Sequence, residues 1–289
     1  MTLMERLMDE RLSLSFEVFP PKTGASLESV KAATEAIAEM KPAFVSVTYG
    51  AGGNGSRFTL EIARNLREKL GVETLAHLTC VGSDRETIRK YLDRLREYGV
   101  MNVMALRGDL PEAGDKPEVY PHAVDLIREI RAEGDFCIGA ACYPEKHPEC
   151  GTQEEDIIHL REKVEAGAQF LTTQMFFDNQ LLYAFLYKLR EAGVTVPVVP
   201  GIMPITAANQ VERALKLSGS FMPRRFISLV DRFGGNAEAM KQAGIIYATD
   251  QIIDLYANGI RHVHVYTMNK PEVAAAILKN LEPMLGRRF

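Results

Sequence analysis

The stretch Ser13-Leu14-Ser15-Phe16-Glu17-Val18-Phe19 alternates polar and apolar side chains, which is typical of a β-strand with two different faces. An amphipathic stretch with helical spacing follows at Leu27–Met40, and a second β-branched, apolar run follows at Phe44–Tyr49. A strand, a helix and another strand in this order predict two parallel strands that are joined by a helical crossover.

The same unit recurs along the chain at a spacing of about 30 residues. The predicted strands are Leu14–Phe19, Phe44–Tyr49, Leu75–Cys80, Val103–Leu106, Cys137–Tyr143, Phe170–Phe177, Pro197–Ile202 and His262–Met268. The predicted helices between them are Leu27–Met40, Phe58–Leu70, Glu86–Tyr98, Ala123–Ala132, Ile157–Ala166 and Leu181–Ala192. Eight such strands predict an α/β protein with one domain over residues 1–289, a (β/α)8 TIM barrel. An extra helical excursion, at residues 221–257, precedes the last strand.

The predicted strands carry polar side chains on one phase and apolar side chains on the other. The apolar phase suits packing beneath the outer helices, so we expect the polar phase to point into the barrel. A polar cavity should then lie towards the carboxyl ends of the strands, where barrel enzymes carry out their chemistry. The polar phase comprises Ser13, Ser15, Glu17, Ser46, Thr48, His77, Thr79, Thr172, Gln174, His262, His264 and Tyr266.

The composition of the chain excludes several classes of protein. The 34 basic and 38 acidic residues give a formal charge of -4, without the basic surplus that nucleic-acid binding requires. No apolar run reaches the roughly 20 residues of a membrane helix, and the first residues do not resemble a signal peptide. Four cysteines are too few for a disulfide scaffold. We expect a cytoplasmic enzyme that forms a homo-oligomer and acts on small molecules, without nucleic-acid or membrane partners.

Glu17 is a candidate general acid, because it is a carboxyl group late in an otherwise apolar strand and on the inward phase. Burial disfavours the charged form and raises the pKa of a carboxyl group, which suits proton donation near neutral pH. The alternative is a solvated carboxylate at a strand end.

The segment Arg107-Gly108-Asp109 follows the fourth predicted strand and places opposite charges around a glycine that a ligand can approach. The alternative is a local ion pair in a turn.

The segment Gly50–Gly55 matches the G-x-G-x-x-G pattern of dinucleotide-binding folds, but it follows the second strand rather than the first. We therefore predict a βα loop there, with backbone amides near a phosphate.

Three histidines suggest a competing function. His262 and His264 share one strand face, and His77 is also on the inward phase. A metal-dependent TIM-barrel hydrolase would use these imidazoles together with carboxylates. The alternative is a set of neutral, hydrogen-bonded histidines inside the barrel. The sequence holds no further histidine pair at metal-binding spacing, so no metal is predicted.

The segment 143–149, Tyr-Pro-Glu-Lys-His-Pro-Glu, follows the fifth predicted strand and holds an aromatic ring, an imidazole and charges between two prolines. Asp156, His159 and Lys163 come next, about one helical turn apart, and so share one helix face. A lysine on that face suits a phosphate group; the alternative is a solvated side of the helix.

Seven segments, in this order, together resemble the methylenetetrahydrofolate reductases, which are FAD-dependent enzymes of one-carbon metabolism. The resemblance covers nearly the whole chain, is closest to the bacterial-type catalytic domain and implies a (β/α)8 barrel. The segments are Ser15–Pro21, Phe44–Ala51, His77–Cys80, Ala105–Pro111, Tyr143–Glu149, Thr173–Phe177 and Tyr266–Asn269.

The resemblance implies the reduction of 5,10-methylenetetrahydrofolate to 5-methyltetrahydrofolate. NADH or NADPH would supply the hydride through FAD, and the nicotinamide and the folate would use one site in turn. It implies that Glu17 protonates the folate nitrogen N10 and that Asp109 is the carboxylate beside the flavin and the pterin. The implied cofactor-binding residues are Thr48, Tyr49, Ala51, His77, Arg107, Gly108, Asp109, Tyr143, His147, Asp156, His159 and Lys163. The implied substrate-binding residues are Gln174, Gln210, Tyr266 and Lys270.

Four positions depart from the family pattern. His159 and Glu162 stand where some bacterial members have Asn and Arg, Lys270 replaces an Arg, and Ala214 stands where a Phe can pack on the ligand. Because the chain ends at Phe289, we expect neither the regulatory domain of eukaryotic members nor inhibition by S-adenosylmethionine. A flavin- or folate-binding partner subunit without turnover is a further alternative to an enzyme.

Overall fold

The computed structural model describes residues 2–21, 27–50, 55–110 and 117–286. Its strands are all parallel and form one sheet in the order β7-β6-β5-β4-β3-β2-β1-β9-β8. They are β1 Ser13–Val18, β2 Val45–Val47, β3 Thr74–Thr79, β4 Asn102–Leu106, β5 Cys137–Cys142, β6 Phe170–Thr173, β7 Val198–Val199, β8 Gly201–Ile202 and β9 His262–Tyr266.

The short strands β7 and β8 are two parts of one run that is interrupted at Pro200. β7 pairs with β6, while β8 pairs with β9, so this run closes the sheet into a ring. Pro200 has no backbone N–H to donate, which prevents a continuous ladder, although its carbonyl accepts a bond from His264 N at 2.8 Å. The predicted TIM barrel is confirmed. The difference is that the predicted strand Pro197–Ile202 is split.

Helices follow the strands, as the sequence predicts, and the excursion before the last strand contains α9 and α10. The helices are α1 Leu3–Leu7, α2 Leu27–Glu39, α3 Gly55–Arg64, α4 Arg85–Glu97, α5 Ala123–Glu133, α6 Gln153–Glu165, α7 Asn179–Glu191, α8 Asn209–Ser218, α9 Arg224–Phe233, α10 Ala237–Ala257 and α11 Pro271–Leu285. A π-helical segment, Asn65–Lys69, continues α3. Within the described ranges, none of the helices has both the length and the apolar character that crossing a bilayer requires.

Apolar side chains close the amino-terminal end of the barrel. Leu75, Met104 and Phe170 project from three strands and form one buried cluster with Leu3 and Leu7 of α1. A capping box between the side chains and backbone N–H groups of residues 2 and 5 fixes the start of α1. This floor fills the lower part of the barrel and leaves the interior open towards the carboxyl ends of the strands.

Gly139 of β5 provides a test of how tightly this floor is packed. A Cβ atom at Gly139 would overlap the buried ring of Phe170, whereas one at Gly235 would meet no atom within 4 Å. We expect Gly139→Ala to lower the free energy of unfolding by about 1–3 kcal/mol, because overpacking forces buried side chains from their preferred rotamers. Gly235→Ala, the control, should change it by less than about 0.5 kcal/mol. Urea denaturation measures both variants, and equal midpoints for the two would contradict the tight packing.

Candidate active site

A cavity of about 1160 Å³ opens at the carboxyl ends of the strands, above the apolar floor. The structure brings nearly all the predicted site residues to its wall. These are Glu17, Thr48, Tyr49, His77, Arg107, Gly108, Asp109, Tyr143, His147, Asp156, His159, Lys163, Gln174, Gln210 and Tyr266. Ala51, also predicted, lies outside the described residues. Lys270 is described but does not line the cavity.

Glu17 lies between β2 and β9, where it pairs in register with Ser46 and Tyr266. Its side chain is 18% exposed, and Oε2 lies 3.8 Å from His77 Nε2. Burial raises the pKa of Glu17 to about 8 and lowers the pKa of His77 to about 4. At neutral pH the carboxyl group therefore keeps its proton beside an uncharged imidazole. This is the state that a general acid requires.

His264 is held by two hydroxyl groups inside the barrel. Its Nδ1 lies 2.8 Å from Ser15 Oγ, and its Nε2 lies 3.0 Å from Ser46 Oγ. Because the Ser15 hydroxyl donates to the Val263 carbonyl at 3.3 Å, Nδ1 of His264 must donate to Ser15. Nε2 then accepts from Ser46, and burial lowers the pKa of His264 to about 3. His264 is thus a neutral histidine whose two ring nitrogens are both hydrogen-bonded inside the barrel.

His262 belongs to a different part of the barrel. Its Nε2 lies 3.1 Å from the Asp9 carbonyl and its Nδ1 lies 2.6 Å from Ser13 Oγ, towards the amino-terminal end. The three histidines of the hydrolase alternative, which include His77, therefore do not converge on one point. Among the residues that the structure describes, no group of three His, Cys, Asp or Glu side chains is arranged to hold a metal ion.

Helix α6 contributes three side chains to the cavity wall, Asp156, His159 and Lys163. Their arrangement agrees with the prediction that they share one helix face. Asp156 Oδ2 accepts from the backbone N–H of His147 at 3.0 Å. Lys163 Nζ donates to the Ala141 carbonyl at 3.1 Å, and burial lowers the pKa of this lysine. These contacts of Asp156 and Lys163 connect the helix to the end of β5 and to the loop that follows it.

The loop after β5 also contributes rings to the cavity wall. His147 packs edge-on against Tyr143, with 4.7 Å between ring centroids. Its Nδ1 accepts from the backbone N–H of Glu149 at 3.1 Å, and burial lowers the pKa of His147. This imidazole is therefore neutral at pH 7. Also at the cavity wall, the departures His159 and Glu162 pair with each other at 3.2 Å.

Arg107 does not pair with Asp109, its predicted neighbour of opposite charge. It forms a bidentate ion pair with Glu149, at 2.7 Å and 2.5 Å, across 42 residues of sequence. Gly108 has a φ of 87°, and a Cβ atom there would crowd Thr79, so only glycine suits this turn. The turn leaves Asp109 exposed at the rim of the cavity.

Three of the four predicted substrate residues, Gln174, Gln210 and Tyr266, line the cavity, and Lys270 does not. Tyr266 donates its hydroxyl to the Thr173 carbonyl at 2.5 Å. Gln210 Oε1 accepts from the backbone N–H of Thr206 at 2.8 Å and so fixes the turn before α8. Lys270 Nζ donates to the hydroxyl of the same threonine at 3.2 Å, which places Lys270 behind this turn. Ala214 lines the cavity within an apolar cluster that includes Met175 and Met203.

Sequence reasoning did not assign several residues that line the cavity. The most informative is Thr172 of β6, whose buried hydroxyl has no hydrogen-bond partner within the described parts of the chain. In the sequence, only the position of Thr172 on the inward phase of its strand indicates that it faces the cavity. The others include Ser46, Thr79 and Thr173 from strands, Arg213 from α8, and Met203, which follows β8.

The chain is similar to several known proteins in sequence and in fold. The profile of the family described as methylenetetrahydrofolate reductase matches residues 2–282. The 5,10-methylenetetrahydrofolate reductase of Pectobacterium carotovorum is 35% identical over 94% of this chain and 90% of its own length. The Escherichia coli enzyme of the same name is 33% identical over 94% of this chain and 91% of its own length.

A plant relative is longer. Methylenetetrahydrofolate reductase (NADH) 1 of Zea mays is 37% identical over 96% of this chain but only 50% of its own length. Among solved structures, a Clostridium thermocellum protein has a TM-score of 0.68 at 13% identity and covers 99% of this chain and 100% of its own. That structure is described as binding two copies of 5-methyl-5,6,7,8-tetrahydrofolic acid, and at this identity it supports the fold alone. On the family profile and the bacterial relatives, the chain belongs to the methylenetetrahydrofolate reductase family.

Proposed function

We propose that this chain reduces 5,10-methylenetetrahydrofolate to 5-methyltetrahydrofolate, with FAD as the bound carrier and NADH or NADPH as the reductant. The observation that carries the proposal is Glu17, a carboxyl group that keeps its proton at neutral pH at the base of a large cavity. Family membership supports the substrate, and the name of the Zea mays relative supports NADH as a reductant. Association into a homo-oligomer stays a prediction.

The residues present fit a flavin cofactor. The cavity, at about 1160 Å³, exceeds the range of about 300–1,000 Å³ that is usual for drug-sized ligands. The unpartnered Thr172 hydroxyl offers a hydrogen bond within it, and Arg107 and Lys163 offer positive charge for phosphate groups. When bound, FAD would take a hydride from the reduced nicotinamide and pass it to the folate.

In the proposed reaction, side chains of this protein would donate one proton and stabilise one positive charge. Glu17 would donate its proton to N10 of the folate, so that the bond from N10 to the bridging carbon breaks and a 5-iminium cation forms. The Asp109 carboxylate would stabilise this positive charge. A hydride added to the bridging carbon then completes the methyl group on N5. The adjacent imidazole of His77, held neutral by burial, does not compete for the proton of Glu17.

The absorption spectrum of the purified protein tests the proposal directly. We expect a yellow protein whose flavin band bleaches with NADH or NADPH under anaerobic conditions and returns on addition of 5,10-methylenetetrahydrofolate. A colourless protein that does not take up FAD would contradict the proposal. A flavin that bleaches but does not recolour with the folate would favour the alternative of a binding subunit without turnover.

Substitution of the acid separates the two halves of the reaction. We expect Glu17→Gln to slow folate reduction by a factor of at least about 100, because general acid catalysis contributes about 10²–10⁴-fold. Flavin reduction by NADH, which needs no proton from this residue, should change little. In the unsubstituted protein, folate reduction should fall as the pH rises through about 8, where Glu17 loses its proton. Stopped-flow measurement of each half-reaction checks both points, and an undiminished folate reaction in the variant would refute the acid assignment.

Thr172→Val tests whether the unpartnered hydroxyl is reserved for a ligand. The substitution should stabilise the ligand-free protein by about 1 kcal/mol, since a buried polar group without a partner is costly. It should also weaken FAD binding by up to about tenfold through the loss of one hydrogen bond. Thr173→Val is the contrast, because the Thr173 hydroxyl accepts from Gly201 N at 2.8 Å and its loss should destabilise the protein. Thermal unfolding and a flavin fluorescence titration measure these effects; unchanged FAD affinity in Thr172→Val would exclude the ligand role.

A further inference from the structure

The turn that leaves β9 has two faces. Tyr266 and Met268 line the cavity, whereas the residues between and after them, Thr267 and Asn269, do not. The Thr267 side chain is buried, and its hydroxyl donates to the backbone carbonyl of Glu17 at 2.6 Å. The second face of this turn is therefore bonded to the strand that carries the candidate acid.

Asn269 extends the same attachment by two residues. Its Oδ1 accepts from the backbone N–H of Phe19 at 3.0 Å, and its Nδ2 donates to the Phe19 carbonyl at 2.8 Å. The side-chain amide thus pairs with both backbone groups of one residue, as a neighbouring strand would. The backbone N–H of Asn269 also donates to the Thr267 hydroxyl at 3.2 Å, which joins the two contacts.

These side chains continue the pairing of β1 beyond the point where its neighbour ends. The ladder between β1 and β9 stops at the pair Glu17 and Tyr266. On the other side, Thr48 N donates to the Val18 carbonyl at 3.0 Å. The end of β1 is consequently hydrogen-bonded on both sides. On one side the partner is the backbone after β2, and on the other side the partners are the side chains of Thr267 and Asn269.

The turn itself has a backbone that few residues adopt. Met268 and Asn269 both have a φ of 53°, in the left-handed region where asparagine is among the best tolerated residues. The backbone N–H of Lys270 donates to the Thr267 carbonyl at 3.0 Å, and α11 begins at once and packs against β1 and α2. The turn is therefore attached to a rigid part of the barrel.

We propose that Thr267 and Asn269 are positioning residues for Glu17: they fix the end of β1 so that the carboxyl group stays directed into the cavity. This inference rests on the proposed function of Glu17 as the acid. The groups around that carboxyl are His77 from β3 and Tyr266 from β9. Because misplacement of a reacting group by about 1 Å can cost about 10²-fold in rate, a loosened strand end should be visible in kinetics.

Two variants remove the contacts with the end of β1. Thr267→Val keeps the shape of the side chain and removes its hydroxyl. Asn269→Gly removes the amide but adopts a positive φ without strain. We expect each to slow reduction of 5,10-methylenetetrahydrofolate by about 10- to 100-fold in the FAD-loaded enzyme. Flavin reduction by NADH should stay within about twofold, since the chemistry of that step does not use the acid.

Controls separate positioning from a general loss of stability. Thr34→Val is matched to Thr267→Val, because the Thr34 hydroxyl is equally buried and donates to the Val30 carbonyl at 2.7 Å within α2, away from the cavity. It should leave both half-reactions unchanged. Thr267→Ser, which keeps the hydroxyl, should restore most of the rate that Thr267→Val loses.

A measurement without turnover completes the test. Carboxyl carbon NMR of the full chain, labelled in glutamate and assigned through Glu17→Gln, follows the protonation of Glu17 directly. We expect its titration midpoint to fall in Thr267→Val and Asn269→Gly, because a displaced carboxyl group gains water. The midpoint should stay unchanged in Thr34→Val.

The outcomes distinguish the two hypotheses. If the unsubstituted enzyme does not reduce the folate, the proposed function fails. If it does so but Glu17→Gln has no effect, the assignment of Glu17 as the acid fails, and the positioning role is overturned with it. If Glu17→Gln is impaired while Thr267→Val and Asn269→Gly match the unsubstituted enzyme in folate reduction and in the titration of Glu17, the positioning role is overturned. Equal losses in both half-reactions would overturn it as well, because they would indicate general damage to the site.

Discussion

Desolvation of one carboxyl group inside a closed ring of parallel strands is the constraint on which the proposed chemistry of this molecule depends. Glu17 is flanked by a strand on each side and faces an imidazole that burial keeps uncharged. Burial disfavours the ionised form, so the proton stays on the carboxyl group at neutral pH. The surroundings of this carboxyl group thus give it the protonation state that its proposed role as a proton donor requires.

The two ends of the barrel serve different needs. At the amino-terminal end, Phe170 and its apolar neighbours fill the interior with the help of α1, and this packing supplies stability. At the carboxyl-terminal end, polar groups line an open cavity. His264 lies between these regions, stacked on Phe44 with 5.4 Å between ring centroids and bonded to two serines. The ring nitrogens of His264 and the two serine hydroxyl groups therefore satisfy one another's hydrogen bonds inside the barrel.

Sequence patterns predicted the features that depend on local periodicity. The alternation in β1 placed Glu17 on the inner face, and the spacing in α6 placed Asp156 and Lys163 on one face. Features that depend on the approach of distant segments were not predictable in the same way. The pairing of Arg107 with Glu149 joins two separate loops, and the contacts of Asn269 with Phe19 span 250 residues. Periodicity predicts the direction in which a side chain points, but it does not predict which distant segment that side chain contacts.

The interruption at Pro200 has a consequence for the motion of the barrel. Each half of this divided strand has only two residues, and each pairs with one neighbour alone. Local opening requires the least free energy where the fewest backbone bonds must break together. Amide hydrogens along this seam should consequently exchange with solvent sooner than those of the other barrel strands. The bond from the Tyr266 hydroxyl to the Thr173 carbonyl spans the same seam, so its opening would also reach a group that lies beside Glu17.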